Sequence, residues 1–233
     1  RIVSALADII SVLFLYSIGK LLYGLRVGLL AAILYAGTVA VVQQAHFFTV
    51  DSVANLFATA AIYFAVKMSK YDGIYNQIFF GVMVGAAAAS RINLVSLIDL
   101  VPLSIFCHYE HTKDRIKIGP WMMLMCSRFV LVGMSVIVVF RVLQPYAFVG
   151  PSIFDIAPNV QWIDNILEIK GQMSGDVDFP PNHQWTDRKS IIFPWINMVR
   201  WGMGPALGLT AWLGLLIGFV QIIRQKSGWA IHV

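Results

Sequence analysis

A chain of 233 residues that is 58% hydrophobic and only 12% charged carries about half the charge of a soluble domain, for which about 25% is usual. With a mean hydropathy of +0.74, the composition argues against a soluble enzyme, a nucleic-acid-binding module and a disordered chain. The net charge of +5 therefore has to be assigned loop by loop, with a bilayer as the solvent.

Seven apolar runs follow in chain order: Ile2 to Ile18, Val27 to Ala45, Val53 to Val66, Ile78 to Ala89, Ile92 to Cys107, Pro120 to Phe140 and Pro205 to Ile223. The fourth run is about 12 residues, or about 18 Å of helix, too short for a hydrocarbon core of about 30 Å. The fourth and fifth runs, separated by Arg91, read together as a short, broken hairpin among the other helices. The predicted fold class is an all-α polytopic membrane protein of about six to seven transmembrane helices, with a large extracytoplasmic loop containing an interfacial helix. Residues 1–140 form a partial transmembrane core, 141–204 the loop region, and 205–233 the final transmembrane helix and cytoplasmic end.

Orientation follows from lysine and arginine, which accumulate on the cytoplasmic side. Every second connection is basic: Lys20 and Arg26, Lys67 and Lys70, Lys113, Arg115 and Lys117, then Arg224 and Lys226. The other face receives Arg1, the turn from His46 to Ser52, Arg91, and a segment of 64 residues from Arg141 to Gly204. A connection that long needs structure of its own. Within it Asn159 can cap a helix with apolar positions Val160, Ile163, Ile166 and Leu167, stopping at Gly171. Trp162 suits a helix lying in the headgroup plane, though a solvated helix packed on its own loop reads equally well. Gly81 with Gly85, Gly204 with Gly208, and Gly214 with Gly218 are small-residue faces for close helix packing.

Cys107 and Cys126 lack CxxC spacing, so neither a disulfide framework nor a zinc site is indicated. The chain enters an apolar run directly from Arg1, without the basic start of a signal peptide, and reads as a piece of a longer protein.

Charges inside the apolar runs need partners or water. Asp99 and Arg128 are placed to meet near mid-membrane, as a structural pair; Asp8 reaches water or a polar neighbour. On the external face, Asp51 in His46-Phe47-Phe48-Thr49-Val50-Asp51-Ser52 has two readings. It, or Ser52, caps a helix beginning at Val53, or it presents a carboxylate where a lipid headgroup or sugar would sit. Arg91 either snorkels to the interface or pairs with a phosphate. The stretch Gly175 to Arg188, with Gln184, Trp185 and Arg188, combines aromatic faces with planar polar groups, which suits sugar binding; packing against the membrane explains it nearly as well. His108 and His111, beside Glu110 and Asp114, read as a solvated loop ahead of a metal site.

The stretches RIVSALADIISVLFLYSIGKLLYG, QQAHFFTVDSVANLFATAAIYFAV, GAAAASRINLVSLIDLVPL, RVLQPYAF and SGDVDFPPNHQWTDR resemble an integral-membrane glycosyltransferase of the GT-C superfamily. The similarity is to the branch of dolichyl-phosphate-mannose protein mannosyltransferases, family 39. That resemblance implies transfer of a sugar, such as mannose, from a polyprenyl- or dolichyl-phosphate donor to a protein, lipid or glycan acceptor on the extracytoplasmic side. It implies membrane lipids and no nucleic acid as further partners, with the plasma membrane of a prokaryote favoured over the endoplasmic reticulum. The principal acid of the family lies in a first external loop that these residues do not include, so the resemblance implies that the piece alone is inactive. Asp51 matches the second acidic position, which orients the acceptor or contacts a metal or sugar. Arg91 falls where a basic residue meets the donor phosphate. Arg141, Arg188 and Arg200 are the other cations available at that level, and His46, Gln184 and Trp185 complete the candidate donor and sugar set; no cofactor is certain, and a divalent metal ion is an open option. The rival readings are a secondary transporter built on Asp8, Asp99 and Arg128, and a non-catalytic scaffold.

Overall fold

The computed structural model describes residues 1–47, 49–71, 73–112, 118–180, 183, 188–189 and 191–224. Helix α1 (Ile2–Tyr23) turns back into α2 (Leu25–Ala36) at Gly24, whose φ of 91° is a left-handed conformation that glycine adopts without steric cost. At Gly37 and Thr38 the chain bends by 59° into α3 (Val39–Ala45). There follow α4 (Val50–Lys70), α5 (Ile74–Ser90) and a 3-10 helix (Ile92–Asp99) that runs on into α6 (Leu100–Thr112). Helix α7 (Ile118–Leu143) precedes the long connection, which holds α8 (Val160–Ser174), α9 (Ile192–Asn197) and a π-helical turn (Met198–Gly202). The last helix, α10 (Pro205–Arg224), starts with proline, whose missing N–H costs nothing in a first turn.

Among the described residues, α1, α4, Ile92–Tyr109 and Trp121–Leu143 are long and apolar enough to cross a membrane, and the bent α2–α3 pair makes a fifth span. Helices α5 and Pro205–Gln221 are apolar but shorter. The protein is an all-α polytopic membrane protein. Helix α5 is longer than its apolar run suggests because it begins in the polar stretch Tyr75-Asn76-Gln77, with Gln77 buried. Helix α8 likewise passes Gly171 and ends at Gly175 in the left-handed conformation.

Helix α5 lies between α4 and α7, while α1 packs on α2 and α4. The core joins Ala61, Ala65 and Met68 of α4, Phe80 and Val84 of α5, Val101 and Ile105 of α6, and Met125, Val132 and Val136 of α7. A Cβ on Gly81 would come within 2.7 Å of the Val132 carbonyl, and one on Gly85 within 2.8 Å of the Val136 carbonyl. Both helices thus advance together, parallel and in backbone contact. The same device joins α1 to α2, where a Cβ on Gly19 would lie 2.8 Å from the Gly28 Cα. A Cβ on Gly208 would lie 2.9 Å from the Val199 Cα of the π-helical turn, whereas one on Gly214 or Gly218 would meet nothing within 4 Å among the described residues.

These directions divide the bundle into two ends. One gathers Lys20, Lys67 and Lys70, with the Lys70 ammonium donating to the Leu21 carbonyl at 2.7 Å. The other gathers Arg1, His46, Asp51, Arg91 and, through the parallel register of α5 and α7, Arg141. The Gly85→Val variant is expected to lose about 1–3 kcal/mol of stability by overpacking. Thermal unfolding in detergent should show a lowered midpoint for it and no lowering for Gly214→Val.

Candidate functional site at the Asp51 end of the bundle

Asp51 sits in the first turn of α4, where the helix dipole favours a carboxylate. It is not the N-cap: Thr49 holds that position in extended geometry, and its hydroxyl donates to Gln44 Oε1 at 2.9 Å instead of capping. The helix begins three residues before the expected start at Val53, so the capping reading of Asp51 and Ser52 does not hold. Arg91 is the residue on which α5 ends, its backbone N–H closing the last turn on the Ala87 carbonyl. The Arg91 guanidinium and the Asp51 carboxylate form an ion pair.

The side chains of that pair are 50% and 41% exposed respectively. A pair so open to its surroundings contributes at most about 1 kcal/mol. Its consequence is chemical: an anion acceptor and a guanidinium with unused N–H donors stand side by side at the bundle surface. Asp51 stands 20 residues before Tyr71 and Arg91 stands 18 after Gly73. At 1.5 Å per residue, each arm of the α4–α5 hairpin is about 30 Å long, so the two charges had to arrive at one level. That equality of arms is the signal by which sequence spacing could have paired them.

Directly beneath lies a polar network that sequence reading only touched. Asp8 is 7% exposed on α1. Its carboxylate accepts from the Ser52 hydroxyl at 3.1 Å and from the Tyr35 hydroxyl at 3.5 Å. The Asn55 amide donates in turn to the Tyr35 oxygen. Three helices, α1, α2 and α4, are thereby joined one turn below Asp51. Ser4 adds a hydrogen bond of 2.8 Å to the Phe47 carbonyl, tying the start of α1 to the turn that carries Asp51. Ser4, Asp8 and Ser11, all buried, recur at helical spacing along an otherwise apolar helix. This stripe was the available signal.

The remaining candidates are placed as follows. His46, exposed at the end of α3, has Nδ1 2.7 Å from the Val42 carbonyl. Arg141 is buried at the end of α7, donating to the carbonyls of Gly150 at 2.9 Å and Ser152 at 2.6 Å, with its guanidinium 5.1 Å from the Phe148 ring centre. Both bonds come from Nη2 and shape the start of the long connection. Arg188, exposed, stacks over Phe193 at 5.1 Å, and Arg200 over Trp201 at 5.9 Å in the π-helical turn, which packs on α3. His183 and Asp178 lie 2.6 Å apart on an exposed loop. Gln184, Trp185 and Asp114 lie outside the described residues, as do the side chains of Glu110 and His111. Asp99 is exposed while Arg128 is 1% exposed, and no ion pair joins the two. No group of three metal-ligating side chains is found among the described residues.

The chain is thus a polytopic helical membrane protein with an exposed acid–guanidinium pair at one end of its bundle. Residues 1–140 match the family described as dolichyl-phosphate-mannose-protein mannosyltransferase, and the chain belongs to that family. The matched region contains Asp8, Asp51 and Arg91. No curated protein and no solved structure matches the chain. Membership makes it a GT-C-type glycosyltransferase-like membrane protein.

Asp8→Ala removes the acceptor of two interhelical hydrogen bonds, each worth about 1 kcal/mol or less in this setting. Thermal unfolding in detergent is expected to show a loss of about 1–2 kcal/mol, with Asp8→Asn, which keeps one acceptor oxygen, losing less.

Proposed function

We propose that the protein transfers a glycosyl group, mannosyl in the first instance, from a polyprenyl- or dolichyl-phosphate donor to an acceptor hydroxyl at the Asp51 end of the bundle. We assign that end to the extracytoplasmic face, because the opposite end carries Lys20, Lys67 and Lys70 and lysine accumulates in the cytoplasm. The observation that carries the reading is the Asp51–Arg91 pair, lying within the residues that match the mannosyltransferase family.

The geometry supports a division of labour. A lipid-phosphate sugar keeps its prenyl chain in hydrocarbon and its phosphate at the surface, the level at which α5 ends in Arg91. When the acceptor oxygen bonds to the anomeric carbon, the bond from that carbon to the phosphate oxygen breaks and the phosphate leaves with the electron pair. Arg91 stabilises the charge it carries away. Arg91 can meet the phosphate with N–H donors that Asp51 does not use, so donor binding and carboxylate orientation act through one side chain. Asp51 accepts a hydrogen bond from the sugar or the acceptor and holds it for attack. The acceptor's proton goes to a base, a role that Asp51 is not assigned.

In the full-length protein, Asp51→Asn is expected to lower transfer at least tenfold at unchanged expression, measured with a radiolabelled polyprenyl-phosphate sugar. Arg91→Ala should raise the KM for that donor, with Arg91→Lys intermediate because a single ammonium replaces a fork. Turnover unchanged in Asp51→Asn would return the pair to a purely structural role.

A further inference from the structure

The opposite end of the bundle contains a second feature, unrelated to the Asp51–Arg91 pair. A cleft of about 640 Å³ opens between α4, α6 and the end of α1. Its volume is in the range of small-molecule sites, about 300–1,000 Å³. Ile62, Leu100 and Leu103 line it toward mid-bundle, and Ser69, Lys70 and Tyr71 line it where α4 ends. From Ile62 to Lys70 is eight residues of helix, about 12 Å at 1.5 Å per residue. The cleft is therefore graded along the membrane normal, hydrocarbon-like in depth and polar at the rim.

The rim is cationic. Lys70 spends one N–H on the Leu21 carbonyl and keeps two. Lys67 and Lys20 lie outside the lining, at the same end of the bundle, where Lys67 stands over the Tyr63 ring at 5.5 Å and Lys20 over Tyr16 at 5.7 Å. Among the described residues, no acid lines the cleft. A ligand that fits carries an alkyl chain about 12 Å deep and an anion at the level of Lys70.

We propose that this cleft binds an anionic phospholipid of the leaflet facing Lys20, Lys67 and Lys70, with one acyl chain between α4 and α6 and its phosphate at Lys70. Charge separates it from a zwitterionic lipid: a lysine near an anionic membrane surface is worth about fivefold in binding. The site lies at the end away from the Asp51–Arg91 pair and does not depend on the proposed transfer reaction.

The test is native mass spectrometry of the purified protein released from micelles containing equal amounts of phosphatidylglycerol and phosphatidylcholine with identical chains. Phosphatidylglycerol is expected to be retained preferentially, with Lys70→Gln reducing retention about fivefold and Lys67→Gln, outside the lining, reducing it less. Ser104→Trp, which fills the cleft wall, should abolish it. Because that variant can misfold, Cys107 on the same wall gives a second readout: phosphatidylglycerol should slow its maleimide labelling in a Cys126→Ser background, and phosphatidylcholine should not. Equal retention of the two lipids, or labelling of Cys107 indifferent to both, overturns the proposal. So does displacement of phosphatidylglycerol by a lower concentration of polyprenyl phosphate, which would make the cleft a seat for that chain.

Discussion

Helices in a bilayer gain little from leaving their solvent, since lipid tails are as apolar as leucine, and association depends on how closely backbones approach. That constraint acts at two seams. Gly19 against Gly28 closes α1 onto α2, and Gly81 with Gly85 brings α5 against the α7 carbonyls of Val132 and Val136. The second seam makes α5 and α7 parallel, so the residues that end them, Arg91 and Arg141, emerge on the same side. A side chain of any size at Gly85 would push the helices apart and separate the end of α5 from the connection that follows α7.

Two polar clusters at that end have opposite characters. The Asp8, Tyr35, Ser52 and Asn55 network is enclosed, and leaving any member unpaired costs more than the bonds gain, so it fixes α1, α2 and α4 relative to one another. The Asp51–Arg91 pair is half exposed and adds little to stability. A rigid floor of hydrogen bonds with a weakly held ion pair above it is an economical way to present a carboxylate in a constant position while leaving its partner able to engage another anion. Ser52 and Asn55 flank Asp51 on the same helix, so the rigidity of the lower cluster is passed to the upper one through a single turn of α4.

Much of this was legible in the amino-acid pattern, for identifiable reasons. The seven apolar runs became helices because hydrocarbon leaves the backbone no other way to satisfy itself. The Gly81 and Gly85 face was readable because small residues at four-residue spacing have few other uses in lipid. Asp51 and Arg91 stood out singly as charges in short turns, but pairing them required the equal arms of the α4–α5 hairpin, and polar Asn76 and Gln77 hid where α5 begins. The expected meeting of Asp99 and Arg128 failed because depth alone does not set the direction a side chain faces: Asp99 lies on a 3-10 segment and points out of the bundle. Gly214 and Gly218 matched the packing motif yet meet nothing within the described chain.

The connection after α7 obeys a different logic from the bundle. Arg141, which the sequence offers as a cation for the donor phosphate, is buried, grips the Gly150 and Ser152 carbonyls and lies against Phe148. Asn159 then caps α8 on the Gln161 N–H and reaches back to the Tyr146 carbonyl, while Trp162 meets Phe140 edge-on. These contacts anchor the start of the connection to the end of α7, and the π-helical turn anchors its far side to α3. The connection is thus tied down on both flanks of the Asp51–Arg91 end. Were Arg141 to release its carbonyls to meet a phosphate, it would have to give up two charge-assisted hydrogen bonds and the fold of the loop that they hold. Arg91, half exposed and bound to one carboxylate, faces no such cost, which is why we propose Arg91, and not Arg141, as the partner of the donor phosphate.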